Sequence, residues 1–460
     1  MHVKYLIIGA GPTGLGAAHR LAELGEHSVL VLERNPYAGG LAASFRDAAG
    51  FTWDIGGHVV FSHYAYFDKL VESLLDGQYL EHMRIARVRI AGRWVPYPFQ
   101  NNIRHLPPEM QWECVQALLP GNRREQAPTN FAEWFEYVFG AGIAKHFMRP
   151  YNFKVWATPA ELMSYQWIGE RVSVIDLEMV LRNLVLQLDN VSWGPNNLFR
   201  FPLHGGTGEI FTRLSARLGD KVRLNTPVTA VDPAKRTVRT GSGQAITYDH
   251  LLATGPLDLL IRDQIGAGPA AAMVGDDLRA AAGQLARNGV YVAGVGVDDM
   301  RPEDIRKDDT CWMYFPESNA PFYRLTNFHN YSPNNAARPG QQRALMAETS
   351  WSVHKPEQLD TLMDKTVEGL VNTSMLHPDE RERIASRWSI AVDYGYPVPT
   401  LGRDAALRCI QPWLEAHGIY SRGRFGGWKY EAANMDHSVM QGVEWAGRMV
   451  LGEEETTYKL

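Results

Sequence analysis

Residues 4–34 read KYLIIGAGPTGLGAAHRLAELGEHSVLVLER, and their order of apolar strand, glycine turn, helix and strand decides the fold. Tyr5 to Ile8 is a short β-prone run; Gly9, Gly11 and Gly14 have the G-x-G-x-x-G spacing; Ala17, Leu21 and Leu24 mark one face of a helix. Gly9 permits the tight turn, Gly11 admits a pyrophosphate against the backbone, and Gly14 lets the helix lie close to the strand. The helix N-terminus then faces the phosphates with free N–H groups and a partial positive charge. Residues 29–32 form the returning strand, and Glu33 at its end is the acid expected to accept hydrogen bonds from an adenosine ribose. A purely structural glycine turn would explain the spacing alone, but not the strand, the helix and Glu33 in their places around it.

Working outward, the second strand runs directly into NPYAGGLAASF, where Gly39, Gly40 and Leu41 form a second glycine turn. NAD enzymes need only the first turn. The second resembles flavoprotein families related to amine oxidases and shifts the expected cofactor to FAD. In GFTWDIGGHVVFSHYAYFD, residues 50–68, Gly56, Gly57 and His58 come where such families bring backbone against the flavin ring. One histidine in an apolar run is more often a buried, hydrogen-bonded core residue, but the two glycines before it suggest close approach to a flat ligand. Spacing alone makes Phe61 and Tyr64 core residues.

The whole chain sets outer limits. Its 460 residues, 45% hydrophobic and 21% charged, suffice for two or three domains with shared cores. A net charge of −5 without long Lys/Arg runs gives no footprint for nucleic acid or anionic lipid. No stretch reaches the roughly 18 apolar residues of a membrane span, and the first apolar run is too short for a signal-peptide core; the expectation is a soluble, cytoplasmic protein. Cys114, Cys311 and Cys409 are isolated, and the 15 histidines fall in no metal-ligand pattern. The expected cofactor is therefore organic, with no metal.

Further along, RIARVRIAGRWVPYPFQNNI reads as a hairpin from residue 84 that Pro96 and Pro98 terminate, which presents Tyr97, Phe99 and Gln100 from a loop. An aromatic beside an amide can recognise a base, and a loop plug fits the composition equally. Residues 105–195 are mostly helical in pattern and carry Asn152, Trp156 and, after Gly169, Arg171; an arginine there suits a loop closing over an anion or an ordinary surface charge. A glycine turn at 205–208 leads into a helix, and short strands then return to the nucleotide-binding sheet at Ala253, Thr254 and Gly255. The strand-rich stretch 285–390 gathers Tyr314, Tyr323 and Arg324, and Tyr396 follows between turn residues. The last notable segment has Arg424 among glycines, then Tyr430, and Asn434 before a helix whose N-terminus could close over the flavin.

Taken together, GAGPTGLGAA, GGHVVFSHYAYFD, WVPYPFQNNI, FMRPYNFKVWA, GERVS, YFPESNAPFYR, YPVPTLGRD, and RFGGWKYE followed by DHS resemble UDP-galactopyranose mutase, the eukaryotic type more than the bacterial. The resemblance covers both ends and most of the middle, and is thinnest over 257–300. It implies an α/β fold: a Rossmann-like FAD-binding domain in three parts (1–83, 201–284 and 393–460), an inserted helical lobe with a mobile substrate loop (105–200), and a mostly antiparallel β-sheet substrate domain (84–104 and 285–392). It implies that N5 of reduced FAD attacks the anomeric carbon of a UDP-sugar and expels UDP, and that the sugar opens and recloses as a furanose. No Asp/Glu pair of the kind glycosidases use stands among these motifs, and a nucleophile supplied by the cofactor fits that absence. NADPH or NADH is the expected reductant.

By the same resemblance Arg171 and Arg324 hold the diphosphate with help from Tyr396 and Tyr430, as suits guanidinium forks. Tyr97, Gln100, Asn152, Trp156 and Tyr314 form the uridine site, and Phe61 and Asn196 also touch substrate. His58 and Gly57 lie against the flavin, and Val228, Arg424, Asn434 and Ser438 join Gly9, Gly11, Gly14, Glu33, Gly39, Gly40 and Leu41 around it. Met435 stands where the eukaryotic-type pattern has Gln, which leaves the native sugar and the tuning of flavin reduction open. Oligomeric state is open as well. The competing readings are a mutase for another nucleotide-linked pyranose, an FAD-dependent oxidase or desaturase, and a non-catalytic nucleotide-sugar sensor.

Overall fold

A computed structural model describes residues 1–169, 175–191, 197–299, 301 and 308–460. The chain opens with β1 (His2–Ile8), α1 (Pro12–Glu23) and β2 (Val29–Leu32), then β3 (Ser44–Arg46), β4 (Thr52–Asp54), α2 (Ala65–Leu75), β5 (Tyr79–Met83), β6 (Ala86–Ile90) and β7 (Arg93–Pro96). Helices α3 (Pro108–Gln116), α4 (Phe131–Ile143), α5 (Arg149–Trp156) and α6 (Leu177–Leu186) form a lobe. After β8 (Leu198–Pro202) and α7 (Gly208–Leu218) come β9 (Val222–Arg223), β10 (Val228–Asp232), β11 (Thr237–Thr240), β12 (Ala245–Ala253) and α8 (Asp276–Gly283). Next are β13 (Arg287–Asp298), β14 (Trp312–Tyr314), β15 (Arg324–Asn327), β16 (Gln342–Trp351), α9 (Leu362–Asn372) and β17 (Ile384–Pro397), and the chain ends with α10 (Arg403–Ala416), β18 (Ile419–Ser421) and α11 (Met435–Leu451).

Two large sheets result. The first has the order β10-β11-β12-β1-β2-β9, with β18 also on β12. Its centre is parallel, β1 pairing with both β2 and β12, and β2 is buried at every residue, as expected of strands covered on both faces. One face is covered by α1 and α11, which cross at glycines. A Cβ on Gly16 would lie 2.8 Å from Val439 O, and one on Gly442 would lie 2.0 Å from Thr13 O. Backbone therefore rests directly on backbone where the glycine turn hands over to α1.

The second sheet, β17-β13-β16-β15-β14-β6-β7, is antiparallel except where β14 meets β6. Glycines of β13 leave flat ground for aromatic rings: a Cβ on Gly294 would come within 2.5 Å of the Trp53 ring, and one on Gly296 within 2.5 Å of Phe51. Phe51 and Trp53, both fully buried, stack at 5.6 Å, and Trp53 stacks in turn on Trp388 at 6.2 Å. This seating fixes β4 and the segment after it, residues 55–64, which crosses to the first sheet.

Two expectations change. The helical lobe expected over 105–200 stops short of that bound, because β8 begins at Leu198 and pairs antiparallel with β5; its Leu-Phe-Arg-Phe alternation is a strand pattern. Tyr396 is in strand, not turn: β17 continues to Pro397 because Asn288 of β13 stays paired with it, the Asn288 side chain accepting from Tyr396 N at 2.9 Å. Gln100, expected on a loop after the hairpin, is in a short 3-10 turn at Phe99–Asn101 and is only 1% exposed. Among the described residues no helix is long and apolar enough to cross a membrane, and the three cysteines are free thiols.

Candidate active site

A cavity of about 1460 Å³ runs between the two sheets. At one end stands the first glycine turn. Gly9 has φ +103°, and Gly14 packs so closely that a Cβ would lie 2.0 Å from Gly9 O. Gly11 is different: a Cβ there would meet only Gly40, at 4.0 Å, so its open side faces the cavity it lines. Gly40 lines the cavity as well, while Gly39 turns the chain behind it. Glu33 reaches the wall with both oxygens already engaged, accepting from Ala10 N and Asn35 N at 2.8 Å each. The acid thus shapes the turn in addition to any bond to a ribose. Leu41 and Val228 complete this end.

The other end is lined by Gly57, His58, Phe61, Tyr97, Arg324, Tyr396, Arg424, Tyr430, Asn434 and Ser438. His58 Nδ1 is buried with no hydrogen-bond partner among the described residues. Burial, reinforced by the Arg424 charge, lowers its pKa to about 4, so the imidazole is neutral near pH 7. Beside Gly57, Trp312 Nε1 and Thr326 Oγ1 are likewise buried without partners. A Cβ on Gly57 would strike both, at 3.0 and 2.8 Å.

Arg324 projects from β15 and forms a two-pronged ion pair with Glu348 of β16, Nε to Oε1 and Nη2 to Oε2, both at 2.8 Å. Burial would pull the guanidinium down and the carboxyl up. Their mutual attraction outweighs it, holding Arg324 above and Glu348 below their ordinary ranges. Glu348 also accepts from Gly57 N at 3.0 Å and from Tyr323 Oη at 2.8 Å. Arg324 Nη1 has no protein partner among the described residues. Arg424 donates to the carbonyls of Gly395 and Ala433 and lies 4.9 Å from the Tyr396 ring centre.

The remaining expected residues stand behind the wall. Tyr314 packs on Tyr97 at 5.2 Å, and Trp156 on Tyr430 at 4.8 Å and Tyr396 at 5.8 Å. Gln100 is buried, and Asn152 Nδ2 donates to Met148 O at 2.8 Å within its own helix. Arg171 and Asn196 lie outside the described residues. Sequence reasoning missed Glu348, Arg84, Trp312 and His63. The signal for Glu348 was present, a lone acid inside the apolar strand QRALMAETSW, where a charge is kept only if paired.

The positive-φ glycine turn, the open face of Gly11, the 1460 Å³ volume and the orphaned polar atoms around Gly57 all fit a flavin dinucleotide. A family model described as flavin containing amine oxidoreductase matches residues 12–450, so the class is that of the amine oxidase-like flavoproteins. Within it, a solved structure of reduced UDP-galactopyranose mutase superposes with a TM-score of 0.93 at 42% identity, over all of this chain and 96% of that one. The chain belongs to the UDP-galactopyranose mutase family and is an enzyme of isomerase type.

Putrescine oxidase bound to putrescine aligns with a TM-score of 0.63 at 17% identity, over 98% of this chain and 99% of that one; this shows the shared fold alone. Flavin-containing amine oxidase A of Bos taurus is 25% identical over 253 residues, 51% of this chain and 45% of that protein. The chain thus spans about half the length of the curated relatives it matches.

Proposed function

We propose that the protein interconverts UDP-galactopyranose and UDP-galactofuranose with FAD in its reduced form and no net redox change. The observation that carries this reading is one cavity joining a dinucleotide cradle to a wall of arginine, tyrosine and neutral histidine. The full-length likeness to a reduced UDP-galactopyranose mutase supports it. When bound, the reduced flavin would supply the nucleophile; among the described residues the Arg324 end of the cavity has no glycosidase-like carboxylate pair, and Glu348 is occupied by Arg324.

The chain's own residues then bind and orient. Arg324 Nη1 offers a charged donor to a diphosphate oxygen, with Arg171 as its expected counterpart and Tyr396 and Tyr430 on the same cavity wall. Tyr97 forms the uridine end together with the aromatic layer behind it. Neutral His58 presents Nδ1 next to the backbone of Gly57 without adding a charge that would repel the arginines. NADPH or NADH serves as reductant, and the reaction takes place in the cytoplasm. Anaerobic incubation of dithionite-reduced protein with UDP-galactopyranose should yield the furanose isomer, and the oxidised protein should not. Oxygen consumption with an amine would support instead the oxidase reading that the curated relatives favour. Conversion only of another nucleotide sugar would reassign the pyranose, a question to which Met435 on the cavity wall is relevant.

A further inference from the structure

The segment from residue 55 to residue 64 supplies Gly57, His58, Phe61 and His63 to the cavity, yet it belongs to no sheet. Between Gly57 and His63 its main chain is tied to other elements at three places. Gly57 N donates to Glu348 Oε1 at 3.0 Å. Val60 exchanges a pair of 2.9 Å hydrogen bonds with Arg200. His63 N donates to Asp436 Oδ2 at 3.1 Å. The outer two ties are to fully buried carboxylates, one on a strand of the second sheet and one in the first turn of α11.

Asp436 does more than accept that main-chain bond. Its Oδ2 lies 2.8 Å from His63 Nδ1 and its Oδ1 lies 3.0 Å from His437 Nδ1. Both imidazoles line the cavity, and Phe61 packs edge-on against His63 at 4.8 Å. The three side chains have ligand atoms within 4.8 Å of one another. A cation there would nonetheless face the positive end of α11, whereas an ionised carboxylate is stabilised by it. Burial pulls the Asp436 carboxyl up, but the hydrogen bonds from His437 and His63 outweigh this and hold it below the ordinary range. The carboxylate is the hub of a latch between the segment and the helix.

We infer that Asp436 is a positioning residue: by clamping the main chain and ring of His63 to the first turn of α11, it fixes Phe61 at the cavity wall and so sets affinity for the sugar nucleotide. This rests on the UDP-sugar reading above. The two carboxylate ties then divide the work, Glu348 holding the His58 end of the segment against the substrate sheet and Asp436 holding the Phe61 end against the flavin-side helix. Loss of Asp436 should loosen binding while leaving the His58 end in place.

The test uses flavin-loaded Asp436→Asn and His63→Ala, with UDP and UDP-galactopyranose as probes. In Asp436→Asn, amide hydrogen exchange over residues 59–64 should accelerate. The Kd for UDP and the KM for UDP-galactopyranose should rise about tenfold, with kcat within about threefold of wild type. His63→Ala keeps the main-chain tie and should show a smaller rise, about threefold, in the same constants; it carries the test if Asp436→Asn does not fold. Unchanged exchange in both variants overturns the inference, as does a fall in kcat at constant KM. Failure of wild-type protein to bind UDP would instead strike the UDP-sugar reading, with the exchange comparison still deciding the latch.

Discussion

Arg324 and Glu348 meet side by side, each guanidinium prong on a different carboxylate oxygen at 2.8 Å. The cation expected to meet a diphosphate is thereby already half neutralised. It keeps its orientation without a ligand and has one nitrogen, Nη1, left for one.

Breaking this pair from either side should be costly, because the partner becomes an uncompensated buried charge. Glu348→Met and Arg324→Met should each lose about 3–5 kcal/mol of stability. The double variant Arg324→Met/Glu348→Met should be more stable than either single one. Urea unfolding of the four proteins checks this, and strict additivity of the two losses would refute the coupling.

For turnover, Arg324→Ala and Arg171→Ala should each lower kcat/KM by about 30-fold to 1000-fold, or roughly 2–4 kcal/mol of transition-state binding. Steady-state kinetics with the reduced enzyme measures it. A loss below about threefold in both would place these arginines outside the site.

His58 gives a sign to the pH dependence. Its folded pKa is lowered to about 4 by burial and then by Arg424, against about 6.5 in an unfolded chain. The contribution is fully present above pH 6.5 and is lost as pH falls toward 4, because the unfolded state takes up the proton first. Melting temperatures of wild type and His58→Gln between pH 7.5 and pH 4 should therefore converge on the acid side.

The flavin's oxidation state should act as a switch. Oxidised protein should be inactive, and reduced protein should complete many turnovers under anaerobic conditions without consuming reductant, since pyranose and furanose have the same oxidation level. Consumption of one NADPH per product would exclude the mutase reading.

Gly442→Ala tests the helix crossing. A methyl group would lie 2.0 Å from Thr13 O, and backbone cannot yield as a side chain does. A stability loss of about 1–3 kcal/mol is expected, with weaker flavin retention on gel filtration because α1 must shift.

The cradle was legible in the sequence because its physics is local: Gly9, Gly11, Gly14 and Glu33 act within one βαβ unit. The motifs carrying the family resemblance were legible too, and they place Phe61, Tyr97, Arg324, Tyr396 and Tyr430 on one cavity. What could not be read was layering. Trp156 and Tyr314 are in the same motifs as wall residues, but whether a ring forms the wall or backs it depends on packing between distant strands. The lone acid at Glu348 could be seen inside its apolar strand, but its tie to Gly57 could not, and neither could that of Asp436 to His63, because these partners are far away in sequence. A lobe boundary at residue 200 cuts through the strand at 198–202, because that strand's partner, residues 79–83, lies before the lobe.

The crossing of α1 and α11 also bears on how the protein is made. The two helices touch backbone to backbone at Gly16 and Gly442, yet roughly 400 residues separate them along the chain, which is a contact of very high order. During synthesis α1 is made long before α11, and the part of its surface that α11 covers stays open in the interval. A chaperone that shields α1 in that interval would act on yield and leave the folded enzyme unchanged.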